Sequence, residues 1–168
     1  MATALRSDAD RHRRWFMYEQ DAHEKVLASL EAVPRERQGE IWFQKAIDLF
    51  AHMTAARQLW LHRLGGIPDR PAELFPRGAA LVSLREVAEP VTRAWREYME
   101  GLTDQEAARV LEYTSTEGLR FRNSVDDVLT QLFGHSLYHR GQIAQLLRSG
   151  GAQPPITDFV FWARAPLD

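Results

Sequence analysis

The stretch that decides the fold is Ser124–Gly151, SVDDVLTQLFGHSLYHRGQIAQLLRSGG. Ser124 can cap a helix, Asp126 and Asp127 suit its positive dipole end, and Gly150–Gly151 close it. Between these ends Val128, Leu132, His135, His139, Gln142 and Leu146 follow at steps of four, three, four, three and four, the period of one helical face. Both histidines therefore stand where their neighbours mark a buried seam. Four residues turn a helix by about 400°, so the two rings lie roughly 40° apart and about 6 Å apart along the axis. Two imidazoles so placed can reach one metal ion, although the same spacing also serves hydrogen-bonded core histidines.

Three more helical segments precede this one. The first runs from about Ser7 to Glu31, with Trp15, Phe16, Ala22, Val26, Leu27 and Leu30 as its apolar positions, and Pro34 stops it. The second runs from about Glu40 to Leu64, carries Trp42, Ala46, Leu49, Met53, Ala56 and Trp60, and ends at Gly65–Gly66 and Pro68. The third starts at Ser83, where Ser83 and Glu86 form an S-x-x-E capping box, and reaches Glu100; Pro90 inside it predicts a kink or a later start. Ile67–Gly78, with three prolines, reads as an ordered but irregular connection. Val110–Tyr113 and Leu119–Arg122 flank the polar TSTEG and predict a small β-hairpin. In the tail, Phe159, Phe161 and Trp162 are too aromatic to be left in water and are expected to pack onto the bundle or a partner subunit. Four helices of roughly 20 residues, about 30 Å each, predict an all-α four-helix bundle formed by one domain over residues 1–168. The long connection between the second and third helices leaves room for those two to run parallel.

Composition narrows the chemistry. The chain has 168 residues, 45% of them hydrophobic and 26% charged, with six histidines and no cysteine. A disulfide framework, a thiolate zinc site, an iron–sulfur cluster and a catalytic cysteine are thereby ruled out, so a metal must rest on nitrogen and oxygen. A formal charge of −2 gives no electrostatic footprint for nucleic acid. The basic residues are 19 Arg and 2 Lys, a bias that genome composition explains. No run of 18 apolar residues exists to span a membrane, and MATALRSDADRHRRW lacks a signal peptide's apolar core, so a cytoplasmic protein is expected.

The helical phases divide the six histidines. His52 lies three residues after Leu49, four before Ala56 and seven before Leu59, on an apolar stripe of the second helix. With His135 and His139 it makes a three-nitrogen face across two helices, a set that a bundle can hold rigidly. His12 sits in RHRR, read as a solvated face; His62 lies at a stripe's edge and reads as surface. His23, seven residues after Phe16, can approach the bundle axis but reads as a bystander. Two familiar patterns are absent. The di-iron bundles need Glu-x-x-His, and the residues three before the histidines are Ala9, Gln20, Leu49, Leu59, Leu132 and Ser136. A zincin's H-E-x-x-H begins at His23–Glu24 but meets Leu27. Trp15, Trp42, Trp60 and Trp95 read as core rather than as a substrate cage. Tyr138 and Arg140 flank the third histidine, with Arg140 a candidate for gripping an anion or for a salt bridge, and Gln142 one turn on is a candidate pocket or ligand-orienting residue.

HSLYHRGQIAQLLRSGG resembles the last helix of the DinB/YfiT-like family of metalloenzymes, which carries H-x-x-x-H-R-G-Q. LFAHMTAARQLWLHRL is similar to that family's segment with the first histidine and a following tryptophan, YTSTEGLRFRNSVDDVL to its hairpin, and PPITDFVFW to its C-terminus. The resemblance covers most of the chain after residue 40. It implies an up-down-down-up bundle, often dimeric, with a metal at one end. His52, His135 and His139 match the three ligands, and Arg140, Gly141 and Gln142 the rest of the motif. Family members of known chemistry include transferases and isomerases that use low-molecular-weight thiols such as bacillithiol or mycothiol. Three neutral imidazoles would leave a divalent ion its full charge and an open position that favours an anion, a hydroxide or a thiolate. Zn, Ni, Mn and Fe(II) all accept such a set. The expected partners are a small electrophilic substrate, a thiol cosubstrate or water, and a second copy of the chain in a homodimer. The competing expectation is a non-catalytic domain in which the ion only braces the bundle.

Overall fold

A computed structural model describes residues 7–166. Four long helices carry the fold: α1 (Asp8–Glu31), α2 (Ile41–Arg63), α3 (Leu81–Glu100) and, after shorter elements, α5 (Val125–Ser149). Between α3 and α5 stand a five-residue helix α4 (Asp104–Ala108) and the antiparallel strands β1 (Val110–Thr114) and β2 (Arg120–Ser124). A short helix α6 (Phe159–Ala163) and a single 3₁₀ turn at Arg35–Arg37 complete the described elements. The sequence pattern does not announce α4, α6 or the 3₁₀ turn, because none is long enough to show a period. Among the described residues no helix is long and apolar enough to cross a membrane.

Two hydrophobic clusters fix the topology. One joins Ala9 and Phe16 from the start of α1 with Leu61 from the end of α2, Met99 from the end of α3, and Val125 to Leu132 from the start of α5. The other joins Leu30 from the end of α1 with Phe43 and Ile47 from the start of α2, Leu84 from the start of α3, and Leu147 from the end of α5. Hence α1 and α5 point one way and α2 and α3 the other, an up-down-down-up four-helix bundle. α2 packs on α3 and α5, and α1 packs on the same two, so α1 and α2 face each other across a diagonal. The long Leu64–Ala80 connection makes the parallel α2–α3 pair possible.

Local chemistry explains most boundaries. Ser7 caps α1 by accepting from the Asp10 N–H. Ser124 and Asp127 exchange two 3.0 Å hydrogen bonds in a complete capping box at the start of α5. At the other end of α5, a Cβ on Gly150 would sit 2.3 Å from Trp42 Cε2, so glycine is needed to let the α2 indole approach, and Gly151 turns the chain with φ +69°. The α3 start is different from the one the sequence predicts. The helix begins at Leu81, Ser83 lies in its first turn, no side-chain cap is made, and the helix runs on through exposed Pro90. Tertiary contacts decide that boundary: Asp48 Oδ1 of α2 accepts from the Ala79 N–H at 3.0 Å, and Gln44 Nε2 donates to the Ala79 carbonyl at 3.0 Å.

The tail packs inward in part. Phe159 and Trp162 meet Tyr18 of α1 edge-on, at 5.1 and 5.8 Å between ring centres, and the Tyr18 hydroxyl donates to the Thr157 carbonyl. Phe161 remains half exposed beneath the Arg164 guanidinium.

Candidate metal centre

α2 and α5 run antiparallel side by side, and their middles carry the histidines. His52 is the twelfth of 23 residues in α2, and His135 and His139 are the eleventh and fifteenth of 25 in α5. The cluster therefore lies at mid-length on the flank of the bundle, between the two hydrophobic clusters, and not at an end as the resemblance implies. Antiparallel pairing is the reason, since it brings middle to middle while the ends are filled by apolar side chains.

The three Nε2 atoms converge. His135 Nε2 stands 3.2 Å from His52 Nε2 and 3.1 Å from His139 Nε2, and all three rings can offer one ligand atom to a common point. The other nitrogens set the tautomers. His52 Nδ1–H donates to the Leu74 carbonyl at 2.7 Å, and His139 Nδ1–H donates to Gln142 Oε1 at 2.7 Å. Both rings then turn a bare lone pair toward His135, whose own Nε2 can donate at most one proton. At least one of the two contacts sets lone pair against lone pair, which a cation between them relieves. The spacing suits one: bonds of about 2.0–2.1 Å at tetrahedral angles put neighbouring nitrogens about 3.3 Å apart. The residues present thus fit a divalent ion, and a three-histidine cluster that could hold one is what the chain provides.

Burial grades across the triad. His52 is buried, 8% exposed, under the Phe75 ring stacked on it at 4.6 Å, whereas His135 and His139 are half-buried. The fully buried stripe of α5 passes instead through Leu132, Ser136, Arg140, Ile143 and Leu147. The two α5 histidines sit at the edge of the predicted seam, where they reach solvent. Burial, and after it the positive charge that His139 and His52 would bring, pulls His135 down from the ordinary histidine value to about 4. His139 is lowered too, by burial first, against an opposing pull from the Gln142 hydrogen bond. Both shifts favour the neutral, coordinating form of the two α5 rings.

Two cavities meet at the triad, and His52, Phe75 and His139 border both. The larger, about 920 Å³, carries Lys45, Asp48, Arg77, Gln142 and Gln145 alongside the apolar Leu49, Pro76 and Leu146. The smaller, about 550 Å³, is walled by Trp60, Phe75, Tyr113 and Phe121 and also reaches His135. Tyr138 is exposed on the rim of the larger one, its ring edge-on to His139 at 5.1 Å. Trp60, expected in the core, is half-buried and lines the smaller cavity, with Tyr113 of β1 edge-on to it at 5.0 Å.

Arg140 faces the other way. One residue is 100° of helix, so the neighbour of His139 points into the bundle, where it is 2% exposed. Its Nη2 donates to the Tyr18 hydroxyl at 3.0 Å, its guanidinium lies over the Tyr18 ring, and Nη1 is 3.9 Å from Glu19 Oε1. Beside it, Arg57 Nη1 of α2 donates to Glu19 Oε2 at 2.9 Å, a buried ion pair that no sequence spacing signals because 38 residues separate its partners.

The other histidines are not part of the triad. His12 is buried rather than solvated: at 2% exposure its Nε2 lies 2.7 Å from Asp126 Oδ1, which also takes Arg11 Nη2 at 2.6 Å. The acid expected to serve the α5 dipole thus also anchors α1. His62 is half-buried rather than surface. His23 borders a separate cavity with Glu19 and Arg57, and burial together with Arg57 and Arg140 holds it far below the usual histidine range. The Leu74 carbonyl and Phe75 are the parts of the site that the sequence left unmarked, since both come from the irregular connection.

No curated protein and no solved structure matches the chain. The model of the DinB family matches residues 6–166, which spans the bundle, the hairpin and all three converging histidines. The chain belongs to the DinB family.

Proposed function

We propose that His52, His135 and His139 bind one divalent transition-metal ion, and that the site activates a low-molecular-weight thiol or a water for transfer to, or hydrolysis of, a small electrophile. One observation carries this reading. Three Nε2 atoms lie 3.1–3.2 Å apart in sequence of contact, with the outer two tautomers set by Leu74 and Gln142, at the meeting point of two open cavities. A bracing site closes around its ion; this one leaves approaches on two sides.

When bound, a divalent ion held by three neutral imidazoles supplies a Lewis acid that lowers the pKa of a thiol or water beside it. The chain itself does the rest. The Leu74 carbonyl and Gln142 Oε1 hold the His52 and His139 rings in register, and an outer hydrogen bond of this kind raises ligand basicity. Phe75 covers His52 and separates the two approaches. Lys45 and Arg77 with Asp48 give the larger cavity both signs of charge, suited to a polar thiol bearing amino and carboxylate groups. The chain has no cysteine of its own, so a thiol must arrive from outside.

The reading also includes a homodimer and a cytoplasmic protein. Light scattering on the purified chain reads the first. The chemistry is tested by metal analysis of purified protein, followed by assays of thiol consumption with a generic electrophile, with and without added metal. Metal-dependent consumption supports transfer, electrophile loss without thiol supports hydrolysis, and a protein that takes up no divalent metal sinks the proposal.

A further inference from the structure

The smaller cavity has walls unlike its neighbour's. Trp60, Phe75, Tyr113 and Phe121 bring four aromatic rings to it, and Arg63 in the last turn of α2 stands among them. The Arg63 guanidinium lies 4.7 Å from the Trp60 ring centre and 4.8 Å from that of Tyr113. Those two rings meet edge-on at 5.0 Å, and the Tyr113 hydroxyl is tied to Asn123 Oδ1 at 2.9 Å. The cation is thus pinned on an aromatic ledge, which fixes its fork without neutralising it. Arg63 Nη2 donates to the Thr114 carbonyl at 2.7 Å, and burial lowers its pKa from the ordinary arginine value. Among the described residues no carboxylate pairs with it, so it stands as a cation at the wall of an aromatic pocket.

Two of the rings sit in an unusual place. Phe75 is 63% and Phe121 47% exposed, and both line the same cavity, one from the α2–α3 connection and one from β2. Exposed aromatic faces across a gap gain free energy when a flat apolar body fills it. The larger cavity shares Phe75 and has exposed Tyr138 on its rim, but it lacks the other three rings and adds Lys45, Asp48, Arg77, Gln142 and Gln145.

We infer that the hairpin-side cavity binds a small aromatic carboxylate, its ring against the exposed faces of Phe75 and Phe121 and its acid group on the Arg63 fork. This deepens the proposed function, because the cavity reaches the triad, so that a reactive carbon elsewhere on the bound acid would stand beside it while the larger cavity takes the thiol or water. It rests on the metal reading only for the fate of the molecule; the binding needs nothing but the cavity's own residues.

The test is calorimetric titration of the purified chain with 1-naphthoate and with the neutral 1-naphthylmethanol, first in EDTA and then with Zn²⁺ added. Metal-free protein is expected to bind the acid and to bind the alcohol more weakly. Arg63→Gln is expected to weaken the acid by about tenfold, the worth of a charge-assisted hydrogen bond, and to leave the alcohol unchanged. Phe121→Ala, a truncation on the half-exposed hairpin that leaves the bundle core alone, is expected to weaken both ligands severalfold. Circular dichroism of both variants checks the fold. The inference is overturned if wild-type protein binds no naphthoate, if the alcohol binds as well as the acid, or if Arg63→Gln keeps the acid's affinity. Naphthoate binding that needs Zn²⁺ and ignores Arg63 also overturns it, while sparing the metal site. Arg63-dependent binding in a protein that takes up no metal leaves this inference standing and removes the metal reading.

Discussion

His139 and Arg140 are adjacent in sequence and on one helix, yet they belong to two polar clusters built on opposite principles. On the outer flank, His52, His135 and His139 bring three imidazoles together with no acid among them. On the inner side, Arg57 and Arg140 meet Glu19, so that charge lies against countercharge. The inner cluster is held by its own members: Glu19 and Arg57 are 4% and 7% exposed, and Trp95 donates to the Arg57 carbonyl at 3.0 Å. The outer one is incomplete by its own hydrogen-bonding arithmetic, since three ring nitrogens share too few protons. The inner cluster braces the bundle by burial and ion pairing, although Glu19 Oε1 and Arg140 Nε and Nη1 make no hydrogen bond; the outer one turns its bases toward a common point that solvent can reach, which suits a ligand.

The comparison is open to attack from both sides. The largest effect is expected on the outer flank: alanine at His52, His135 or His139 is expected to abolish stoichiometric metal binding after dialysis, while the metal-free protein unfolds at an unchanged temperature. Metal retained by all three variants would contradict the assignment. The reverse pattern is expected inside. Glu19→Ala leaves Arg57 buried without its partner and is expected to cost about 3–5 kcal/mol in denaturant unfolding, with the metal content of the folded protein unaltered. If instead it empties the metal site and spares stability, the two clusters are one.

Gln142→Ala is a finer probe, because it removes only the group that orients His139. An outer partner of this kind is worth about 10–100-fold in metal affinity, read by competition with a chromogenic chelator. An unchanged affinity would mean that the ring is held by packing alone.

The smallest effect is a pH dependence. Burial lowers the His135 pKa to about 4 in the folded protein, against the ordinary histidine value of about 6.5 in the unfolded chain. As pH falls from about 6.5 toward 4 the unfolded chain gains a proton that the native one lacks, so native stability falls across that window and levels off below it. His139 and His23 are lowered as well and act in the same direction. Metal-free His135→Asn is expected to show a shallower decline in unfolding midpoint between pH 6.5 and 4 than the parent. An identical slope would show that His135 does not contribute.

Much of this was legible along the chain because it depends on neighbours a few residues away. The 3.6-residue period placed all four long helices, Ser124 and Gly150–Gly151 bounded α5, and the spacing of His135 and His139 put both rings on one side. The phase of His52 marked a third base to match them, and the total absence of cysteine made any metal an all-histidine affair. The α3 start escaped, because Asp48 and Gln44 of another helix hold Ala79 and outweigh a local Ser-x-x-Glu pattern. His12 escaped as well, since its partner Asp126 is 114 residues away.

What the sequence determined by itself is therefore periodic and local: element type, helix phase, and which residue types share a face. What only the tertiary structure decided is which of two adjacent faces is closed. The angle of 100° between His139 and Arg140 is written in the helix, but α1 supplies Glu19 and Tyr18 on one side, while on the other the connection offers only the Leu74 carbonyl and the Phe75 ring. Burial and charge balance are properties of the elements that meet, and those meetings span from 22 to 122 residues of chain.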